Sequence, residues 1–257
     1  NYHRQQKGKI QVTPKRKIEG KEDLSLAYTP GVGQVSRKVA ENPSRVWEFT
    51  NRGNSVAIVC DGTAVLGLGD VGPEAALPVM EGKSVLFKEL ADIDAYPLCI
   101  DTTDPDKIVE FARMIEPSFG GINLEDIAAP KCFEIRARLE KELSIPVFHD
   151  DQDGTAIVTL AALINASILR GQDIQDSRVV INGAGAAGVA ISWLLLHYGA
   201  GEIVLLDSRG AIHRDREDLN EAKQDIAEHT NIEKKKGRIE EVIADMDIFI
   251  GVSQGDM

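Results

Sequence analysis

Three carboxylates follow a short apolar segment near the middle of the chain. The segment Ile145–Phe148 has the composition of a buried strand, and Asp150, Asp151 and Asp153 follow it closely. Thr155 then begins a long apolar stretch that predicts a helix. Carboxylate oxygens at the end of a strand are the ligands that a hard divalent cation prefers. The same acids can also cap the following helix, and this stretch alone leaves both interpretations open.

Other acidic residues stand at the ends of predicted strands. The strands Ser55–Cys60, Leu98–Asp101 and Gly120–Leu124 alternate with predicted helices, and this alternation predicts a parallel α/β sheet. The acids at these ends are Asp61, Asp101, Glu125 and Asp126. Because ligands of such sheets bind at the carboxyl ends of the strands, the coincidence favours a functional site over simple helix capping.

A second pattern predicts a dinucleotide-binding site. The strand Arg178–Asn182 runs into G-A-G-A-A-G, and a helix is predicted over Val189–Tyr198. The turn consists of Gly183, Ala184, Gly185, Ala186, Ala187 and Gly188. The N-terminus of that helix would hold the pyrophosphate. Asp207 ends the next strand, where a ribose-binding acid is expected, and this favours NAD. Arg209 can serve a 2′-phosphate and leaves NADP open.

The composition is that of a globular protein. The 257 residues are 43% hydrophobic and 27% charged, and the net charge is -12. This charge argues against nucleic acid or an anionic membrane surface as the main partner. The apolar run Thr155–Leu169 is shorter than the roughly 20 residues of a membrane span. The three cysteines lie far apart, without the spacing of a disulfide framework, and no signal peptide is visible. Both observations predict a cytoplasmic protein.

Five segments together resemble the malic enzymes, in particular their smaller prokaryotic form. They are L-A-Y-T-P-G-V, D-G-T-A-V-L-G-L-G-D, V-M-E-G-K, N-L-E-D and H-D-D-Q-x-G-T-A, in the family's order. The resemblance implies an α/β malic-enzyme N-terminal domain over residues 1–152. A Rossmann-type NAD(P)-binding domain would follow over residues 153–257, and we expect it to lack its C-terminal part. The implied activity is oxidative decarboxylation of malate to pyruvate and CO2, with NAD or NADP and Mg²⁺ or Mn²⁺.

The same resemblance implies a role for each matching residue. Tyr28 would be the general acid that protonates the enolpyruvate carbon, and Lys83 the base that takes the substrate hydroxyl proton. The metal ligands would be Glu125, Asp126 and Asp151, with Asp150 as a supporting neighbour. A lysine that acts as a base near neutral pH needs a lowered pKa, which burial and the nearby cation would give. The family also suggests a homodimer, in which Tyr28 can reach the neighbour's site.

Two positions depart from the family's pattern. Asp153 stands where the family usually has histidine, as an extra carboxylate near the metal or as a cap for the Thr155 N–H. Ala64 stands where the larger eukaryotic enzymes have arginine, so another group must bind the substrate carboxylate. Two other functions stay open. One is a metal-independent oxidoreductase of the amino-acid dehydrogenase kind, and the other is a non-catalytic cofactor-binding module.

Overall fold

Four parallel strands form the first sheet. The structure, a computed structural model, describes residues 2–253, so residues 254–257 of the expected second domain lie outside the described residues. The strands are β1 (Ser55–Cys60), β2 (Asp94–Cys99), β3 (Gly121–Glu125) and β4 (Val147–His149). Their order is β2-β1-β3-β4, and Cys60 lies opposite both Cys99 and Glu125. The carboxyl ends of these strands therefore meet at one edge, as the sequence predicts.

Helices pack against both faces of this sheet. The N-terminal half contains α1 (Tyr2–Gln6), α2 (Lys21–Ala27), α3 (Val32–Glu41), α4 (Val46–Phe49), α5 (Pro73–Ala91), α6 (Pro105–Ile115) and α7 (Lys131–Glu142). On one face, Leu124 of β3 packs in a core with Ile108 of α6 and Ile135 of α7. On the opposite face, Ile58 of β1 packs with Met80 of α5. Successive residues of a strand point to opposite faces, so the continuous apolar strands join both layers.

The second sheet has the strand arrangement of a dinucleotide-binding domain. Its strands are β5 (Val179–Asn182), β6 (Ile203–Asp207), β7 (Gly210–Ala211) and β8 (Ile248–Gly251), and its helices are α8 (Thr155–Arg170), α9 (Ala186–Tyr198), α10 (Glu221–His229) and α11 (Ile239–Val242). The order is β7-β6-β5-β8, in which β7 alone of these strands is antiparallel to its neighbour. Ile181, Leu195 and Leu205 form its buried core with Ile226.

A π-helical turn, Asp150–Gly154, connects β4 to α8 and thus the first sheet to the second. Both the turn and α8 contact α9. The aromatic ring of Phe133, on α7, packs against the cores of both sheets. The expected division after residue 152 falls inside the turn and stays a prediction. Because the turn begins at the carboxyl end of β4, its acidic residues lie at the edge where the strand ends meet.

The helical segment Asp150–Arg170 is, by length and composition, able to cross a bilayer. This differs from the sequence expectation because the turn and α8 together form 21 helical residues. Two acidic residues at its start form ion pairs with helices of the first sheet. Asp150 pairs with Lys83 of α5, and Asp153 pairs with Arg136 of α7. In this structure the segment therefore connects the two sheets, and its first turn is bound to the helices of the first sheet.

Two local predictions need correction. Gly82, directly before Lys83, predicts a helix start at the lysine, but Lys83 lies in the middle of α5, which begins at Pro73 and continues through Gly82 to Ala91. A glycine within a helix costs about 1 kcal/mol relative to alanine, and the burial of Met80 offsets this. The many charged residues of the stretch 212–237 predict a solvated helix and loop, yet Ile212 and Ile226 are fully buried and pack in the second core.

Candidate active site

Three carboxylates converge where β3 and β4 end. Glu125 and Asp126 come from the end of β3, and Asp151 comes from the π-helical turn. One oxygen atom of each residue lies within 4.8 Å of the others. A divalent cation bound at about 2.0–2.6 Å to oxygen ligands requires separations of this size. Glu125 and Asp126 are each only 5% exposed, and an all-oxygen donor set fits Mg²⁺ or Mn²⁺ better than zinc.

Hydrogen bonds fix two of these carboxylates. The backbone N–H of Asp126 donates to Oδ2 of Asp151 at 3.0 Å, which joins the end of β3 to the turn. Asp126 has a φ of 53°, in the left-handed region that non-glycine residues seldom adopt. The side-chain amide of Asn123 donates to Oε2 of Glu125 at 2.8 Å. These bonds hold the carboxylates close together despite their mutual repulsion.

Lys83 provides the positive charge beside this cluster. Its Nζ lies 2.6 Å from Oδ2 of Asp150 and 2.9 Å from Oε1 of Glu125. Asp150 is thus paired with the lysine, while its neighbour Asp151 faces the two acids of β3. A Cβ atom at Gly154 would overlap the Asp150 carboxylate, so a larger residue there would displace the carboxylate that pairs with Lys83. The helix α5 and the turn together bring Lys83 and Asp150 into contact across 67 residues of sequence.

Burial or neighbouring charges raise the pKa values of Glu125, Asp126 and Lys83. Burial, the largest effect, raises the pKa of Glu125 to about 7, and Lys83 only partly offsets it. Burial and the charge of Asp151 raise the pKa of Asp126 to about 6. Burial lowers the pKa of Lys83, but the bond to Asp150 and the charge of Glu125 outweigh it and raise this pKa above its usual range. Without a cation, the carboxylate partners of Lys83 stabilise its ammonium form, whereas burial alone acts in the expected direction.

Tyr28 lies apart from these contacts. It follows α2, which packs on α3, and its side chain is 69% exposed. Among residues 2–253, its hydroxyl has no hydrogen-bond partner. The structure therefore brings Lys83, Asp150 and the three clustered carboxylates together but leaves Tyr28 at the surface of the chain.

The glycine-rich turn has the close packing that a dinucleotide site requires. The turn follows β5, and α9 begins at Ala186, within the G-A-G-A-A-G segment. A Cβ atom at Gly188 would overlap the carbonyl oxygen of Gly183, so only glycine allows α9 to approach the strand this closely. The first N–H groups of α9 and its dipole favour a bound phosphate. The residues present therefore fit the pyrophosphate of NAD or NADP.

Asp207 has more partners than the sequence predicts. It ends β6 as expected, but Arg216 binds it through two nitrogens at 2.9 and 3.1 Å, and Nζ of Lys223 lies at 2.8 Å. The backbone N–H of Arg209 also donates to it, while the Arg209 guanidinium pairs with Asp218 at 2.8 Å. Burial raises the pKa of Asp207, but the bonds to the two cations outweigh it and lower this pKa. The acid predicted to bind the ribose is therefore a carboxylate already neutralised by two cations.

Several contacts in the site were not predicted from the sequence. Arg216 and Lys223 lie in the charged stretch that was interpreted as solvated. Lys131, at the start of α7, pairs with the buried Asp61 at 2.5 Å. Asp153 was expected to bind near the metal or to cap Thr155; instead it pairs with α7 and accepts a backbone N–H from β4. For Arg216 and Lys223, the available sequence signal was their position as basic residues 9 and 16 places after Asp207.

A large cleft separates α7 from α9 and α10. It has a volume of about 1910 Å³ and is lined by Thr63, Lys131, Asp153, Trp193 and Arg216, among others. The three clustered carboxylates are not among its lining residues, although Ala128 and Gln152, their close neighbours in sequence, are. We therefore place the chemistry at the carboxylate cluster on the grounds of charge and geometry, and regard the cleft as adjacent space.

Comparison with protein families identifies the family of this chain. The malic enzyme N-terminal domain matches residues 7–140, and the malic enzyme NAD binding domain matches residues 152–256. The chain belongs to the malic enzyme family. The resemblance and the α/β fold class expected from the sequence are thereby confirmed, and so is the dinucleotide-binding domain.

Individual malic enzymes are similar along nearly the whole chain. The bifunctional malic/malolactic enzyme of Bacillus subtilis (strain 168) is 54% identical over 98% of this chain, which covers 62% of that enzyme. The NAD-dependent malic enzyme of Geobacillus stearothermophilus is 52% identical over 96% of this chain, which covers 52% of it. The crystal structure of the NAD-dependent malic enzyme from Thermotoga maritima has a TM-score of 0.95, with 50% identity, over 99% of this chain and 68% of that chain. The chain thus spans about half to two thirds of the length of these relatives.

Proposed function

We propose that this malic enzyme chain catalyses the oxidative decarboxylation of malate to pyruvate and CO2, with reduction of NAD or NADP. The position of Lys83 carries the proposal, because its ammonium group joins Glu125 and Asp150 beside the three clustered carboxylates. A metal-independent amino-acid dehydrogenase has no need for such a cluster. The oxygen-only set favours Mg²⁺ or Mn²⁺ as the cation.

The proposed chemistry assigns a proton transfer to each catalytic residue. A bound divalent cation would supply positive charge for the substrate oxygen, and a bound nicotinamide would supply the hydride acceptor. Glu125 and Asp150 raise the pKa of Lys83, and neutralisation of part of their charge would free the lysine to act as a base. Lys83 then takes the proton of the substrate hydroxyl. Tyr28 gives a proton to the carbon that CO2 has left.

We propose that Tyr28 acts within a homodimer. Its phenol is exposed on the surface of the described chain, and Lys83 pairs with Glu125 and Asp150. A second copy of the chain would place this phenol at the neighbouring carboxylate cluster, which would complete the acid–base pair. The other partner is a small-molecule substrate, and we propose a cytoplasmic location without nucleic-acid or membrane partners.

Cofactor preference depends on the partners of Asp207. In the Asp207→Ala variant, the half-buried cations Arg216 and Lys223 lose their shared carboxylate and become available to a 2′-phosphate. We expect the affinity for NADP, relative to NAD, to rise about tenfold, the effect of one charge-assisted hydrogen bond. Dissociation constants for both cofactors, measured by calorimetry, test this. Asp215, whose exposed carboxylate pairs with Lys234, provides the control. Asp215→Asn should leave the ratio of the NADP and NAD dissociation constants unchanged. An unchanged ratio in Asp207→Ala would contradict the assignment.

A product assay separates the proposed activity from its two rivals. The purified protein is incubated with malate, Mn²⁺ and NAD or NADP, and pyruvate, CO2 and reduced cofactor are quantified together. Equal amounts of the three products support decarboxylating oxidation. Reduced cofactor formed from an amino acid and not from malate would favour the dehydrogenase rival. Cofactor binding without any product would favour the non-catalytic module.

A further inference from the structure

The π-helical turn that carries Asp150 and Asp151 is held from outside the metal cluster. Asp153, two residues after Asp151, points away from the cluster and toward α7. Its Oδ1 lies 2.9 Å from a guanidinium nitrogen of Arg136, and its Oδ2 accepts the backbone N–H of His149 at 3.0 Å. Both oxygens of Asp153 are therefore engaged, and the Arg136 charge neutralises the carboxylate.

The bond to His149 closes the turn on itself. It connects the last residue of β4 to Asp153, so Asp150 and Asp151 lie in the loop between the two bonded positions. His149 is fully buried, and its Nδ1 lies 3.8 Å from Oδ2 of Asp151. Any change in the backbone of this closed turn moves the Asp151 carboxylate relative to the end of β3.

Arg136 ties the closed turn to a rigid element. It lies on α7, whose apolar face packs in the first core, so its own backbone is well fixed. The guanidinium also reaches Oε1 of Gln152 at 3.5 Å and Oε1 of Glu140 at 3.0 Å. The side chains of Arg136 and Asp153 are 29% and 19% exposed, a depth at which an ion pair is less screened than at the open surface. One arginine thus contacts two consecutive residues of the turn.

We infer that Arg136 and Asp153 are positioning residues that hold the Asp151 carboxylate in place for the divalent cation. The inference rests on the proposed function, because it takes the three clustered carboxylates as the cation site. Neither residue is a ligand, since the two Asp153 oxygens already bind Arg136 and His149. The inference also accounts for the aspartate at position 153, where the family usually has histidine, because Asp153 forms an ion pair with Arg136 of α7. Residues that orient metal ligands in this way typically contribute roughly 10- to 100-fold to metal affinity.

The test measures Mn²⁺ affinity directly, without substrate or cofactor. Free Mn²⁺ is quantified by electron paramagnetic resonance in the purified wild type and in the Asp153→Asn, Asp153→Ala and Arg136→Gln variants. Asparagine preserves shape and an acceptor for the His149 N–H but removes the charge, whereas alanine removes both. We expect Arg136→Gln and Asp153→Asn to weaken Mn²⁺ binding about tenfold, and Asp153→Ala more strongly. The double variant Arg136→Gln/Asp153→Asn should bind Mn²⁺ about as strongly as either single variant, since all three lose the same ion pair.

A matched control and thermal unfolding exclude a general loss of structure. Arg138 lies on the same helix and pairs with Asp106 and Glu134 away from the turn, so Arg138→Gln should bind Mn²⁺ like the wild type. Weaker Mn²⁺ binding at an unchanged unfolding temperature supports positioning. Wild-type affinity in all Asp153 and Arg136 variants, with binding weakened in Asp151→Asn, would overturn this inference alone. Failure of the wild type to bind Mn²⁺ would overturn the cation site, and this inference with it.

Discussion

Malate oxidation is expected to fall about 10²- to 10⁴-fold when Lys83 is replaced by alanine, the usual contribution of a general base. The ammonium group joins Glu125 to Asp150, and no other cation lies within salt-bridge distance of those two carboxylates in residues 2–253. The variant therefore loses both the proton acceptor and the charge that balances the site. Initial rates of reduced cofactor formation at saturating malate and Mn²⁺ measure the effect.

Lys88 provides the control for this variant. It lies on the same helix, five residues further on, and its exposed ammonium pairs with Asp92 and Asp94. Lys88→Ala should retain the wild-type rate, because its pairs lie outside the carboxylate cluster. If Lys83→Ala retains the wild-type rate as well, Lys83 is not the base. Partial recovery of Lys83→Ala by a small added amine would identify the missing group as a proton acceptor.

Asp151→Asn is expected to weaken Mn²⁺ binding by roughly 100-fold, because a neutral amide replaces a charged oxygen ligand in a half-buried site. The amide is nearly the same size as the carboxylate and can still accept the Asp126 N–H, so the turn should keep its shape. The activity of the variant should then depend on much higher Mn²⁺ concentrations than that of the wild type. Titration of the initial rate with Mn²⁺ gives both the affinity and the maximal rate.

An acid at the same sheet edge serves as the control for Asp151→Asn. Asp101 follows β2, is exposed, and lies outside the group of three carboxylates that approach one another. Asp101→Asn should therefore leave the Mn²⁺ requirement unchanged. Equal Mn²⁺ requirements in Asp151→Asn and the wild type would remove Asp151 from the proposed ligands.

The elements and the edge at which they meet were predictable from local pattern. Continuous apolar segments predicted the strands, and the alternation with helices predicted that their carboxyl ends share one edge. Acids at the ends of β3 and β4 therefore indicated a cluster before any contact was known. The G-A-G-A-A-G segment, set between a strand and a helix, predicted the dinucleotide domain for the same reason.

The ionic partners within the site were not predictable in the same way. Lys83 meets Asp150 across 67 residues, and Asp153 meets Arg136 across the second half of α7 and all of β4. Such pairs depend on the packing of α5 and α7 against the sheet, which periodicity does not specify. The charged stretch after β6 was misinterpreted for a related reason. Its basic residues were assigned to solvent, although Arg216 turns back to bind Asp207.

Removal of divalent cations tests the central claim most directly. Malate-dependent formation of reduced NAD or NADP is measured in the purified protein before EDTA treatment, after it, and after addition of Mn²⁺ or Mg²⁺. We expect the activity to disappear with EDTA and to return with either cation, since Glu125, Asp126 and Asp151 offer oxygen ligands alone. Malate oxidation that continues at the same rate in excess EDTA would contradict the assignment of these carboxylates as the cation site of this malic enzyme.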